Sequence, residues 1–133
     1  MAFPVEEKFI ERAESELGVR FPDGFREKMG AENGGVVELG IDCSWLYLFF
    51  DDSDRRRLSR TCNHLVSETR YAREHALWPD NLIPIGHNGQ GGHLVFRVED
   101  SGTQGQAVYW HDHETNVVHF LAADFSDLTI ERT

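Results

Sequence analysis

The second half of the chain constrains the fold most tightly. Residues 82–86, 93–98, 106–111 and 117–121 are short apolar segments separated by glycine-rich or polar turns. Segments of this length bounded by turn formers read as strands, and turns this short join antiparallel neighbours, because a parallel crossover takes a dozen residues or more. In residues 93–98, Leu94, Phe96 and Val98 alternate with His93, Val95 and Arg97, so one face of that strand is expected in a core.

Helical patterns dominate the first half. Residues 5–17 carry Phe9, Ile10, Ala13 and Leu17 on one side, acids on the others, and stop at Gly18, which suits a left-handed helix cap. Phe21-Pro22-Asp23 breaks that pattern, and Phe25 with Met29 at i,i+4 predicts a short second helix ending near Gly30. Asn33-Gly34-Gly35 reads as a turn into a strand at Val36, Val37 and Leu39. Residues 45–50, Trp45-Leu46-Tyr47-Leu48-Phe49-Phe50, form a further strand too uniformly apolar to face water, and so expected at the centre of the sheet.

Asp51-Asp52-Ser53-Asp54 supplies N-cap candidates for a long helix with an apolar stripe of Leu58, Cys62, Leu65, Val66, Ala72 and Ala76, running to about residue 77. Trp78-Pro79-Asp80-Asn81 ends it, and Asp124 is expected to cap a closing helical turn carrying Phe125 and Leu128. Helices and strands segregated in this order predict an α+β fold: an antiparallel-rich mixed sheet of about six strands with helices packed against it. No linker, repeat or low-complexity tract interrupts residues 1–133, so a single domain is expected.

Residues 45–50 are also the longest apolar run, far short of a membrane span. The first residues carry neither the basic nor the apolar region of a secretory leader, which makes a cytoplasmic protein the expectation. Cys43 and Cys62 lack disulfide, zinc or redox spacing and read as buried free thiols. A net charge of −10 repels a phosphate backbone, so direct nucleic-acid binding is not expected and a basic partner fits better. Acidic surfaces also keep soluble domains dispersed, so charge alone does not decide between these meanings.

Several clusters resemble chemical sites without completing one. His111-Asp112-His113-Glu114 with His119, and with His87 and His93 around the preceding glycine-rich turn, invites a metal, since alternate residues share a strand face, yet residues 112–116 also read as a solvated hairpin turn without a second layer of support. Asn88-Gly89-Gln90-Gly91-Gly92 lacks the Lys-Ser/Thr ending of a phosphate loop and precedes a strand. No serine elbow or paired cysteine nucleophile is present. Neither a catalytic residue, a metal ligand nor a cofactor is therefore assigned. Arg55-Arg56-Arg57 with Arg60 is the basic block, and Asp51, Asp52 and Asp54 are near enough to offset it. By contrast, residues 98–133 hold Glu99, Asp100, Asp112, Glu114, Asp124, Asp127 and Glu131 against Arg132 alone, the clearest charge asymmetry in the chain. Trp45 and Trp110 are the aromatic anchors to test beside it.

Nearly the whole chain resembles the SUKH superfamily, the domain type of the fungal Smi/Knr cell-wall regulators. The resemblance runs through Ile10-Glu11, Leu17-Gly18, Phe21-Pro22, Phe25-Arg26 and Asn33-Gly34-Gly35 in the first half. It continues through Leu82-Ile83-Pro84-Ile85-Gly86, Asn88-Gly89-Gln90-Gly91, Leu94-Val95-Phe96, Val108-Tyr109-Trp110, Asp112-His113-Glu114 and Asp124-Phe125. The chain departs from the pattern at Gly92, where an aspartate is usual, and at Phe21, where a leucine is usual. The resemblance implies a non-catalytic protein-binding role. Bacterial members imply an immunity protein that neutralises a toxin, often a nuclease, of a polymorphic or contact-dependent system; the fungal members imply a regulatory interaction module. The expected partner is a basic protein, probed through Trp45, Trp110, Asp112 and Glu114. A metal-dependent enzyme using residues 111–119 is the remaining alternative.

Overall fold

The computed structural model describes residues 3–39, 42–75, 78–98 and 104–131. Helices α1 (Glu7–Leu17) and α2 (Asp23–Ala31) come first, then strands β1 (Val36–Leu39) and β2 (Asp42–Leu46). Helices α3 (Arg55–Arg60) and α4 (Leu65–His75) precede β3 (Leu82–His87), β4 (Gly92–Val98), β5 (Gln104–Asp112) and β6 (Val118–Ala122). A 3-10 turn, Phe125–Asp127, and a two-residue strand β7 (Thr129–Ile130) close the fold. The strands form one sheet in the order β6-β5-β4-β3-β2-β1-β7, and every pairing of named strands is antiparallel. The α+β expectation holds.

Helix α1 stops where the sequence says it should, because Gly18 adopts φ 69° and returns its N–H to the Glu14 carbonyl. Glu14 itself is buried in α1. Its carboxylate accepts the Phe21 N–H at 2.6 Å and pairs with Arg26 Nε at 3.2 Å, tying α1 to the start of α2. The β3–β4 turn is also side-chain built: Asn88 Oδ1 accepts from the N–H groups of Gln90 and Gly92 at 2.9 and 3.0 Å.

The expected long helix is two. Thr61 is buried, and its Oγ1 accepts the Asp51 N–H at 3.0 Å, which turns the chain out of helix after α3. The chain re-enters helix through a reciprocal cap in which the His64 N–H donates to Ser67 Oγ at 3.0 Å and the Ser67 N–H donates to His64 Nδ1 at 3.3 Å. Leu58 and Cys62 consequently leave the apolar stripe: α3 buries no residue, Leu58 is exposed, and Cys62 is an exposed free thiol where a buried one was expected. Ala76 and Leu77, the expected end of the helix, lie outside the described residues. Of the basic block, Arg57 meets Asp51 and Asp54, while the Arg56, Arg57 and Arg60 guanidinium groups lie 5.5, 4.6 and 5.0 Å from the Phe3 ring centre.

The apolar run 45–50 is corrected in the same way. Strand β2 begins at Asp42 and ends at Leu46, and it pairs β3 only through Trp45 and Leu46. It lies inside the sheet, but the chain then departs toward α3, leaving Phe49 in the core and Trp45 facing outward. β7 is an unexpected seventh strand, beside β1.

Helices α1, α2 and α4 and the 3-10 turn enclose one face of the sheet over a phenylalanine cluster. Phe25 is fully buried with its ring centre 5.3 Å from Phe21, 5.8 Å from Phe49, 5.2 Å from Phe96 and 5.0 Å from Phe125. Ile83, Ile85, Leu94, Phe96 and Val108 supply the sheet side of that core. The antiparallel register puts the alternate residues of the same strands on the opposite face.

Candidate protein-binding face

Cross-strand pairing assembles that opposite face from single residues. Val36 stands opposite Trp45, Trp45 opposite His87, His87 opposite His93, His93 opposite His111, and His111 opposite Val118. Three histidines therefore occupy one row across β3, β4 and β5, with Trp45 at its β2 end. A second row follows through Pro84, Val95, Tyr109 and Phe120.

The rings interlock. Tyr47 stacks on His87 at 5.1 Å, and Trp78 sits 5.2 Å from His93 and 4.7 Å from His111. Arg97 lies 4.3 Å above the Tyr109 ring, which meets Phe120 edge-on at 6.0 Å. Leu82, Val95 and His111 are buried beneath this layer, while Trp45 is 47% exposed and Phe120 63% exposed at its two sides. Large aromatic side chains held by their neighbours and still open to solvent suit anchor residues of a protein interface.

Electrostatically His93, in the middle of the row, is neutral near pH 7. Burial, with His111 and His87 close by, pushes His93 down to about 4. Burial and then the nearby Glu68 push the Tyr47 phenol up to about 12. His111 shares a 2.6 Å hydrogen bond between its Nε2 and Asn116 Oδ1, and this assigns the proton to Nε2 as donor. Charge gathers instead at the β5–β6 turn, where Asp112 Oδ1 accepts the Glu114 N–H at 2.9 Å and Glu114 is exposed. From residue 104 to residue 131 there are five acids, Asp112, Glu114, Asp124, Asp127 and Glu131, and no lysine or arginine. Glu99, Asp100 and Arg132 lie outside the described residues.

The candidate anchors do not form one cluster. Trp45 lies on the histidine face, but Trp110 pairs with Leu94 on the core side, half-buried against the core and over Gly92. Trp110 thus braces the turn that carries Asp112 and Glu114. Trp45 is three strands from His111, about 14 Å at the usual strand spacing. His87, His93 and His111 were grouped from sequence only as a metal candidate, and Tyr47, Trp78, Tyr109 and Phe120 were not singled out as members of a face; the odd-even alternation of 93–98 alone hinted at it.

The histidines proposed as the metal alternative converge only in part, since His87, His93 and His111 share one row. His111 is on the histidine face, while His119 pairs with Trp110 on the other side of the sheet. Among the described residues no group of three or more His, Cys, Asp or Glu side chains is arranged to hold a metal ion. No helix among them is long and apolar enough to cross a membrane.

An antiparallel sheet with helices on one face and a braced aromatic and histidine layer on the other defines an α+β domain with a surface fit for protein contact. Residues 4–131 match the SMI1 / KNR4 family (SUKH-1), and the chain belongs to that family. Among curated proteins nothing matches the chain.

Proposed function

We propose that the chain is a non-catalytic, cytoplasmic immunity protein that binds and neutralises a cognate toxin domain, a nuclease or similarly basic enzyme, of a polymorphic or contact-dependent system. Membership of the SUKH-1 family supports the binding role. The observation that carries the reading is the exposed aromatic layer, at whose β5 end the chain turns through Asp112 and Glu114, within a stretch from residue 104 to residue 131 that has five acids and no lysine or arginine. A nuclease holds phosphates in a basic cleft, and carboxylates can occupy the same cleft. Asp112 and Glu114 steer the approach and raise the association rate; Trp45, with Trp110 bracing the turn, contributes desolvated contacts that slow release.

The test is to measure binding rates for the Asp112→Asn, Glu114→Lys double variant at low and at physiological ionic strength, where the Debye length is about 8 Å. Asparagine keeps the acceptor that Asp112 offers to the Glu114 N–H. Association is expected to slow roughly tenfold in the variant and to slow with salt in the wild type, with dissociation little changed. A partner that is itself acidic, or association indifferent to both salt and charge, rejects the electrostatic reading.

A further inference from the structure

Strand β6 is one edge of the sheet, and among the described residues no strand pairs with its outer side. Three of its neighbourhood's large apolar side chains are exposed: Val117 at 44%, Phe120 at 63% and Leu121 at 37%. Residues 117–123, Val-Val-His-Phe-Leu-Ala-Ala, contain no Asp, Glu, Lys, Arg or Pro, the residues that usually blunt an edge. The opposite edge is managed differently, since β7 has two residues and is followed at once by Glu131.

The direction of the free backbone groups follows from the pairing. The Asp112 N–H donates to the Val117 carbonyl at 2.9 Å, so Val117 turns its polar groups toward β5. By alternation His119 does the same, and Val118 and Phe120 turn their N–H and C=O groups away from the sheet. The register shift between Val108 and Tyr109 leaves Leu121 as a bulge that ends the regular edge.

Charge selects the occupant. Asp112 and Glu114 lie before β6, and Asp124 and Asp127 after it. Two copies pairing β6 to β6 about a two-fold axis would set the first pair of acids in one copy against the second pair in the other, at both ends of the ladder. Like charges so placed oppose pairing. We infer that the β6 edge takes an extended strand of the basic partner, hydrogen-bonded to Val118 and Phe120 and flanked by lysine or arginine. This deepens the proposed binding role and rests on it for the partner's identity, though the edge is testable without the toxin.

The probes are two synthetic peptides, Lys-Lys-Val-Thr-Val-Thr-Val-Lys-Lys and the same strand flanked by glutamates, added to isotope-labelled protein. With the lysine peptide, hydrogen exchange at the Val118 and Phe120 amides is expected to slow at least about tenfold, and the glutamate peptide is expected to bind at least about tenfold more weakly. Val118→Pro removes an outward N–H that β5 does not use, so the variant keeps its circular dichroism and loses protection at Phe120. Phe120→Lys keeps the backbone donors and is expected to weaken the lysine peptide at least about tenfold by repulsion. Protection elsewhere, equal binding of both peptides, or protection that appears without peptide through self-association overturns the inference. A toxin that binds while the β6 amides stay unprotected overturns it too and leaves the immunity reading standing.

Discussion

Replacing Phe25 with alanine is expected to destabilise the domain by about 3–5 kcal/mol, far more than a substitution on its surface. Phe25 is fully buried and touches Phe21, Phe49, Phe96 and Phe125, so it joins α2 to the chain beyond β2, to β4 and to the final 3-10 turn. The cavity left by its ring is walled by side chains from four separate segments, which limits how far it can collapse. Domains of this size have about 5–15 kcal/mol in total, so the variant would keep its fold with a melting temperature lower by roughly 10–20 °C. Tyr71→Ala, at an exposed site on α4, serves as the control and should stay within about 0.5 kcal/mol. A Phe25→Ala loss below about 1 kcal/mol, measured by denaturant unfolding, would place the core elsewhere.

The second large effect is a loss of stability in mild acid. His93 titrates near 6.5 in the unfolded chain and at about 4 when folded, because burial disfavours its charged form and His111 and His87 stand beside it. Between those values the unfolded chain binds the proton more readily. The stabilisation from a neutral His93 is therefore complete above about pH 6.5 and is lost as the pH falls toward 4. The limit is about 3 kcal/mol, reduced by the part of the ring that solvent still reaches. His64, lowered chiefly by burial, adds a slope of the same sign. Asp54 and Asp124, lowered chiefly by backbone N–H groups, act only below the ordinary carboxylate range. Urea unfolding at intervals from pH 7 to 4 should show the fall in the wild type and a much flatter line in His93→Gln. Equal slopes would remove His93 as the cause.

Local signals were readable wherever one segment carried its own answer. Phe9, Ile10 and Ala13 with Gly18 define α1, and the alternation in 93–98 defines β4. The break after α3 was not readable, because Leu58, Cys62 and Leu65 fit a helical stripe and the break depends on Thr61 meeting Asp51 ten residues away. Histidine is not among the favoured N-caps, so the His64 cap that starts α4 gave no signal. β7 has two residues and pairs with a strand from the other end of the chain, which no local pattern reveals.

The candidate face was legible at its rim and, as a metal candidate only, in the grouping of His87, His93 and His111. Trp45 stood out as a large aromatic at the start of an apolar run, but its row with His87, His93 and His111 depends on the register between β2 and β3, which are joined through α3 and α4. Trp110 was recognised as an aromatic beside the acidic turn. Its inward direction depends on the parity of β5 and on Gly92, whose missing side chain leaves room for the indole.

The decisive measurement for the proposed binding role is to seek, in the reading frames beside the gene for this chain, the basic toxin domain that the proposal requires, and to titrate it, purified, with increasing amounts of the protein. Toxin activity should fall in proportion to added protein and reach zero at one equivalent, with a one-to-one complex that survives gel filtration and releases both chains unaltered. Toxin activity that persists at a large excess of the protein, or that is abolished by far less than one equivalent, would contradict a stoichiometric binding role.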